Sequence, residues 1–170
     1  MKTRSHDERA DVLAIYRRHV TMARQRAYRL LGDIEPAQAV TCEVFLKLLE
    51  YHQRPATQAA IAAFLYRSTT NLSLNKLREG QRQRDQAAYR GPSQFSSSRE
   101  LSAIDQLRDI LALVSYDEAQ VGAYYFVDGL EVDEIADLLD IERQTATARL
   151  LAFASRAARL LQVTGGRRVA

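Results

Sequence analysis

The residues best suited to binding chemistry lie in Glu134–Leu151, EIADLLDIERQTATARLL. Arg143, Gln144, Thr145, Thr147 and Arg149 bring forked or short polar side chains onto one stretch. Such groups hydrogen-bond base edges and phosphates in a DNA groove. Just before them, Ile135, Leu138 and Leu139 repeat at helical spacing, and Asp140-Ile141-Glu142 interrupts the pattern with one apolar residue placed to plug a corner. The layout is that of a helix-turn-helix, whose second helix enters the major groove. A second polar row lies upstream. Arg67, Asn71, Asn75 and Arg78 stand three or four residues apart, followed by Arg82 and Arg84. Amides and guanidinium groups so spaced share a helix face and suit an opened DNA strand, the last two arginines neutralising phosphates. By itself this row also reads as a solvated basic face.

Catalysis finds no support. No nucleophile–base pair, phosphate loop or paired acid set is visible, and no cofactor is implied. His6, His19 and His52 are scattered without ligand spacing, so no metal site is expected. The single cysteine, Cys42, excludes an internal disulfide and reads as a small packing residue in a reducing compartment. The tyrosine pair Tyr124-Tyr125 with Phe126 reads as core and interface rather than a base-stacking platform.

These residues must be positioned by helices. The chain has 170 residues with 46% apolar, seven glycines and three prolines, which is room for one large or two small helical domains. A polar N-terminus and the lack of a long apolar run exclude a signal peptide and membrane insertion, so a cytoplasmic location is expected. Periodicity predicts helices over about 11–31, 36–51 and 58–84, then near 100–114, 117–127, 131–139 and 143–161. Val40, Val44, Phe45 and Leu48 face inward on the second. Between 85 and 99 the chain reads DQAAYRGPSQFSSSR, the composition of a tether. The expected organisation is therefore all-α: one domain over 8–84, a flexible linker over 85–99, a helix-turn-helix domain over 100–163 and a flexible tail over 164–170. Charge divides the same way. Residues 1–90 hold 16 Lys/Arg against 9 Asp/Glu, whereas residues 91–170 hold 8 against 12. The helix-turn-helix thus lies in the acidic half, and weak DNA binding is expected from it alone.

Three blocks, CEVFLKLLEY at 42–51, FLYRSTTNLSLNKLRE at 64–79 and DGLEVDEIADLLDIERQTATARLL at 128–151, resemble those of bacterial RNA polymerase sigma factors of the sigma-70 family. The resemblance covers roughly residues 10–162 and is nearest the small, two-domain extracytoplasmic-function type. It implies a three-helix region 2-like domain that binds the polymerase clamp and melts the minus-ten element. It also implies a region 4-like domain that meets the polymerase flap and reads the minus-thirty-five element. Core RNA polymerase and promoter DNA are the implied partners. An anti-sigma factor, or a separate targeting protein, is a further partner the resemblance allows.

The family's motifs carry over position by position. Where the family shows A-E-D-x-x-Q-E-V-F, this chain has Ala37-Gln38-Ala39-Val40-Thr41-Cys42-Glu43-Val44-Phe45. Ala39 and Cys42 replace the usual aspartate and glutamine, so polymerase contacts are expected from Gln38, Glu43, Phe45, Lys47 and Glu50. In the promoter-melting block Asn75 replaces an aspartate, and the resemblance assigns Arg67, Asn71, Asn75, Arg78, Arg82 and Arg84 to the minus-ten element. Part of the pocket for an extruded base falls at Gln53–Thr57. In the recognition helix Thr145 and Arg149 are kept, while Thr147 stands for a basic residue and Asp140 and Glu142 add negative charge. These departures keep a second function open, a sigma-derived adaptor or regulator acting through protein–protein contacts.

Overall fold

The computed structural model describes residues 4–50, 57–89 and 102–166. Among them are seven α-helices, one π-helical turn and no strand, so the fold is all-α as expected. The chain divides into two compact units, Met1–Ser73 and Leu74–Ala170, with the boundary inside the third helix.

The first unit contains α1 (Arg4–Leu31), α2 (Ile34–Glu50) and the first part of α3 (Gln58–Tyr89). Ala23, Ala27 and Leu30 from α1 are buried with Val40, Val44, Phe45 and Leu48 from α2 and Ile61, Leu65 and Leu72 from α3. The spacing of these residues sets one apolar stripe on each helix. Gly32 ends α1 with a φ of 75°, its N–H bonding the Tyr28 carbonyl at 2.8 Å. That left-handed conformation is one glycine adopts without steric cost. Asp33 Oδ1 then accepts from the Glu35 N–H at 3.0 Å, so α2 opens two residues before Pro36. The proline falls within the first turn, where its missing N–H costs no helical bond. Thr57 Oγ1 accepts from the Ala60 N–H at 3.1 Å and caps α3; residues 53–56 of the expected base pocket lie outside the described residues.

The second unit contains the rest of α3, then α4 (Ala103–Leu113), α5 (Tyr116–Gly122), the π turn (Ala123–Val127), α6 (Val132–Leu139) and α7 (Arg143–Gly166). Ser115 and Glu118 form a capping box at the start of α5, and Glu131 and Glu134 form another at α6. Asp140 closes α6 with φ 55°, the left-handed cap that short polar residues tolerate. Ile141 then bonds back to the Ala136 carbonyl at 3.0 Å and is half-buried at the corner. Leu111, Val121, Tyr124, Ile135, Ala146 and Phe153 make the core of this unit.

Two boundaries differ from expectation. Helix α3 continues through 85–89, where a tether was expected, because Gln81 donates to Asp85 at 2.9 Å and Arg84 donates to Gln81 at 2.9 Å and to Asp109 at 3.3 Å. The first two of these bonds join residues four and three apart along the helix and extend it past its apolar pattern. Helix α7 likewise runs to Gly166, since nothing before Gly165 breaks it. The remainder of the expected linker, 90–99, and of the tail, 167–170, lies outside the described residues.

Candidate nucleic-acid and polymerase-binding surfaces

In the first unit, α2 presents an outer face of Ile34, Gln38, Ala39, Cys42, Leu46, Lys47, Leu49 and Glu50. Ile34 is 69% exposed and Leu46 57%, so large apolar groups stand in water without a described covering. Glu43 and Lys47 pair across one turn at 3.4 Å with both side chains nearly half exposed. Such a surface pair is weak and readily exchanged for a partner's charges. Beside this face, Arg24, Gln25, Tyr28, Ile34, Ala37 and Gln38 line a mostly apolar groove of about 420 Å³. The structure therefore brings Gln38, Glu43, Lys47 and Glu50 together on one helix. Phe45 is a correction. It is 5% exposed, its ring edge-on to Tyr16 at 4.8 Å, and its bulk belongs to the core. Cys42 is corrected the other way, from packing residue to exposed thiol.

On α3 the polar row is split by the unit boundary. Arg67 and Asn71, both half-buried, fall in the first unit. Behind them Arg26, buried, donates from Nε to Thr70 Oγ1 at 3.0 Å and lies 4.1 Å over the Tyr66 ring. Arg26 thereby fixes the register of α1 against the helix that carries the row. Sequence reasoning missed it, although position 26 shares the face of Ala23, Ala27 and Leu30, where a charge is unexpected.

Asn75, Arg78, Arg82 and Arg84 fall in the second unit. Asn75 and Arg82 are exposed. Arg78 is half-buried, donates from Nη2 to the Val114 carbonyl at 2.9 Å and sits 5.1 Å from the centre of the Tyr116 ring. Burial lowers the Arg78 pKa from its ordinary value, Tyr116 opposes that shift, and the neighbouring charge of Arg82 adds to it. Tyr116 is pushed up, first by burial. Arg84 pairs with Asp109 at 3.3 Å.

The helix-turn-helix candidates gather at the start of α7. Gln144 and Thr147 are exposed, Thr145 is half-buried, and the Thr147 hydroxyl donates back to the Arg143 carbonyl at 2.9 Å. Both cations have acidic partners. Arg143 meets Asp133 at 3.1 Å, and Arg149 meets Asp117 at 2.8 Å. A third pair, Arg156 with the nearly buried Glu118 at 3.1 Å, ties α7 to α5. Among the described residues no group of three or more His, Cys, Asp or Glu is placed to hold a metal ion.

Residues 15–83 match the family Sigma-70 region 2. This segment is a sigma-70 region 2 domain. The matched segment spans most of α1, all of α2 and α3 as far as Gln83, so Arg67, Asn71, Asn75, Arg78 and Arg82 lie inside it and Arg84 just beyond. No curated protein has a sequence that matches this chain. Among solved structures, the co-crystal structure of the sigma factor RpoE in complex with the anti-sigma factor NepR from Bartonella quintana is similar. The two share 15% identity with a TM-score of 0.50, over 90% of this chain and 98% of that one. At that identity the likeness speaks for the fold, and its coverage takes in the second unit as well as the sigma-70 region 2 segment. No described helix is long and apolar enough to cross a membrane.

Proposed function

We propose that this chain is a sigma factor of the extracytoplasmic-function type, which binds core RNA polymerase in the cytoplasm and directs it to a small set of promoters. The observation that carries the reading is the region 2 match over 15–83, laid on helices whose outer face on α2 is apolar and unusually exposed. In this reading Gln38, Glu43, Lys47 and Glu50 frame the polymerase clamp contact around Ile34, Leu46 and Leu49. Arg67, Asn71, Asn75, Arg78, Arg82 and Arg84 engage the minus-ten element as it opens. Gln144, Thr145 and Thr147, with Arg143 and Arg149, read the minus-thirty-five element from α7. No chemistry is performed by the chain itself; binding energy alone selects and melts the promoter. An anti-sigma factor is a fitting regulator, since the similar RpoE structure was solved with one.

A second reading, a sigma-derived adaptor that acts through protein contacts, is favoured by the pairing of Arg143 and Arg149 with Asp133 and Asp117. Cations so engaged have less to offer phosphates. Pull-down with core polymerase, followed by run-off transcription from candidate promoters, separates the two. Core binding with promoter-dependent transcripts supports the sigma factor. Failure to bind core at micromolar concentration sinks it.

A further inference from the structure

Arg26 is 3% exposed and stands on the α1 face of Ala23, Ala27 and Leu30, none of which meets solvent. A charge is rare at such a position unless something holds it. Here one turn of α3 does. Arg26 Nε donates to Thr70 Oγ1 at 3.0 Å, the Thr70 hydroxyl donates on to the Tyr66 carbonyl at 2.9 Å, and the guanidinium lies 4.1 Å over the Tyr66 ring. The buried Thr69 hydroxyl likewise donates back to the Leu65 carbonyl at 2.7 Å. Two such back-bonds in succession weaken the backbone ladder locally and favour bending of the helix. Tyr66 and Thr70 are four residues apart and share the side of α3 turned to α1. Arg67 and Asn71 each follow one of them, about 100° further round the helix. The pliable turn that Arg26 grips from inside is thus the one that presents these two polar side chains. An apolar side chain of similar length would fill the same space, and such replacements of buried ionic groups are often neutral or stabilising. Stability is a poor reason for an arginine at position 26.

We infer that Arg26 is a positioning residue for strand capture: by gripping Tyr66 and Thr70 it sets the rotation of the α3 turn that carries Arg67 and Asn71, and so the register in which they meet single-stranded DNA. This rests on the reading above that Arg67 and Asn71 contact the opened strand. Arg26 is closed off from solvent and meets no phosphate itself. Its influence on binding passes through the two residues it sets. That gives it a signature of its own. An arginine that meets a phosphate releases counterions, so its removal flattens the salt dependence of binding. A residue that acts through others lowers the affinity at every salt concentration alike.

The test uses the full chain and a labelled single-stranded DNA oligonucleotide of mixed sequence, titrated by fluorescence anisotropy across a salt series. Core polymerase affinity and the thermal midpoint are measured on the same variants. Arg26→Met keeps the length and removes the donors. It should weaken strand binding about five- to tenfold, with the salt slope unchanged and core affinity within about twofold. Arg26→Lys can still donate to Thr70 and should recover most of that loss. Thr70→Val keeps the branched shape without the hydroxyl and should weaken strand binding about two- to threefold, again at constant slope. Exposed Arg82 is the contrast, since Arg82→Ala should flatten the slope by about 0.7. Unchanged strand affinity in Arg26→Met overturns the positioning role. So does a parallel loss of strand and core affinity with a lowered midpoint, which is damage to the fold alone. If Arg26→Met does not fold, Thr70→Val decides, and unchanged strand binding there overturns the role. Asn71→Ala separates the inference from the reading beneath it. If it weakens binding while Arg26→Met does not, the strand face stands and the positioning role falls. If Asn71→Ala changes nothing, the face is misassigned and both fall.

Discussion

Gly122 of α5 lies against the ring of Phe153 of α7 so closely that a Cβ on the glycine would stand 2.6 Å from Phe153 Cε2. Phe153 is 1% exposed and its ring also meets Phe126 at 5.5 Å, so it has little room to swing away. Two effects oppose each other in Gly122→Ala. Alanine gains up to about 1 kcal/mol of helix propensity over glycine. Overpacking a closed core costs about 1–3 kcal/mol. Overpacking should win, and the thermal midpoint of the second unit should fall, as read by circular dichroism. Adding Phe153→Leu should recover part of the loss. A raised midpoint in the single variant would show that the ring yields.

The exposed face of α2 supports a gain-of-affinity experiment. Ala39 and Cys42 are both exposed, so polar replacements there need not disturb packing. Ala39→Asp with Cys42→Gln restores the family's pattern. Each charge-assisted bond regained is worth about 1–3 kcal/mol. Affinity for core polymerase should therefore rise about tenfold or more, measured by fluorescence titration. An unchanged constant would move the polymerase contact away from this face.

Helix content and core faces were legible in the sequence because apolar spacing is a local signal. Val40, Val44, Phe45 and Leu48 were expected inside α2 and are buried there. Phe45 also shows how a motif misleads, since its place in a binding block suggested a surface role that its spacing contradicts. Helix ends were partly legible: α1 ends at Leu31, where periodicity placed its end, whereas the αL turn at Asp140 looked only like an interruption. The hold on Arg78 was not legible at all. Its acceptor is a backbone carbonyl, which every residue possesses, so no residue type at position 114 announces it. The ion pairs of Arg143 and Arg149 escaped for a related reason. Their partners on α6 and α5 are ordinary first-turn acids, which the helix macrodipole already explains.

Those ion pairs define the next prediction. Asp133→Asn and Asp117→Asn leave Arg143 and Arg149 in place and remove the carboxylates that occupy them. The exposed Arg143–Asp133 pair contributes under about 1 kcal/mol and the partly buried Arg149–Asp117 pair somewhat more, so the fold should persist. Affinity for duplex DNA containing a recognised promoter should increase, and its salt dependence should steepen by up to about 0.9 in log–log slope for each new phosphate contact. Anisotropy titrations across a salt series measure both. If neither changes, α7 does not meet DNA through these arginines.

The start of α4 gives a prediction in pH. The Ser102 hydroxyl donates to Asp105 Oδ2 at 2.7 Å while Ser102 Oγ accepts the Asp105 N–H at 3.3 Å, and Arg108 donates to Asp105 Oδ1 at 2.8 Å. The Ser102 bond is the main reason the Asp105 carboxyl is held below its ordinary value, with Arg108 adding to it. A depressed carboxylate stabilises the folded state above its unfolded pKa, about 3.9, and that contribution disappears as pH falls through the lower folded value. Ser102→Ala removes two things with different pH behaviour. The loss of the hydroxyl as helix cap costs about 1 kcal/mol at any pH. The loss of the carboxylate's partner matters only where Asp105 is ionised. The stability gap between the unaltered chain and Ser102→Ala should accordingly be widest near neutral pH and shrink, without closing, toward about pH 3. Denaturant unfolding at several pH values measures the gap. A gap independent of pH would assign the whole effect to the cap and none to the carboxylate.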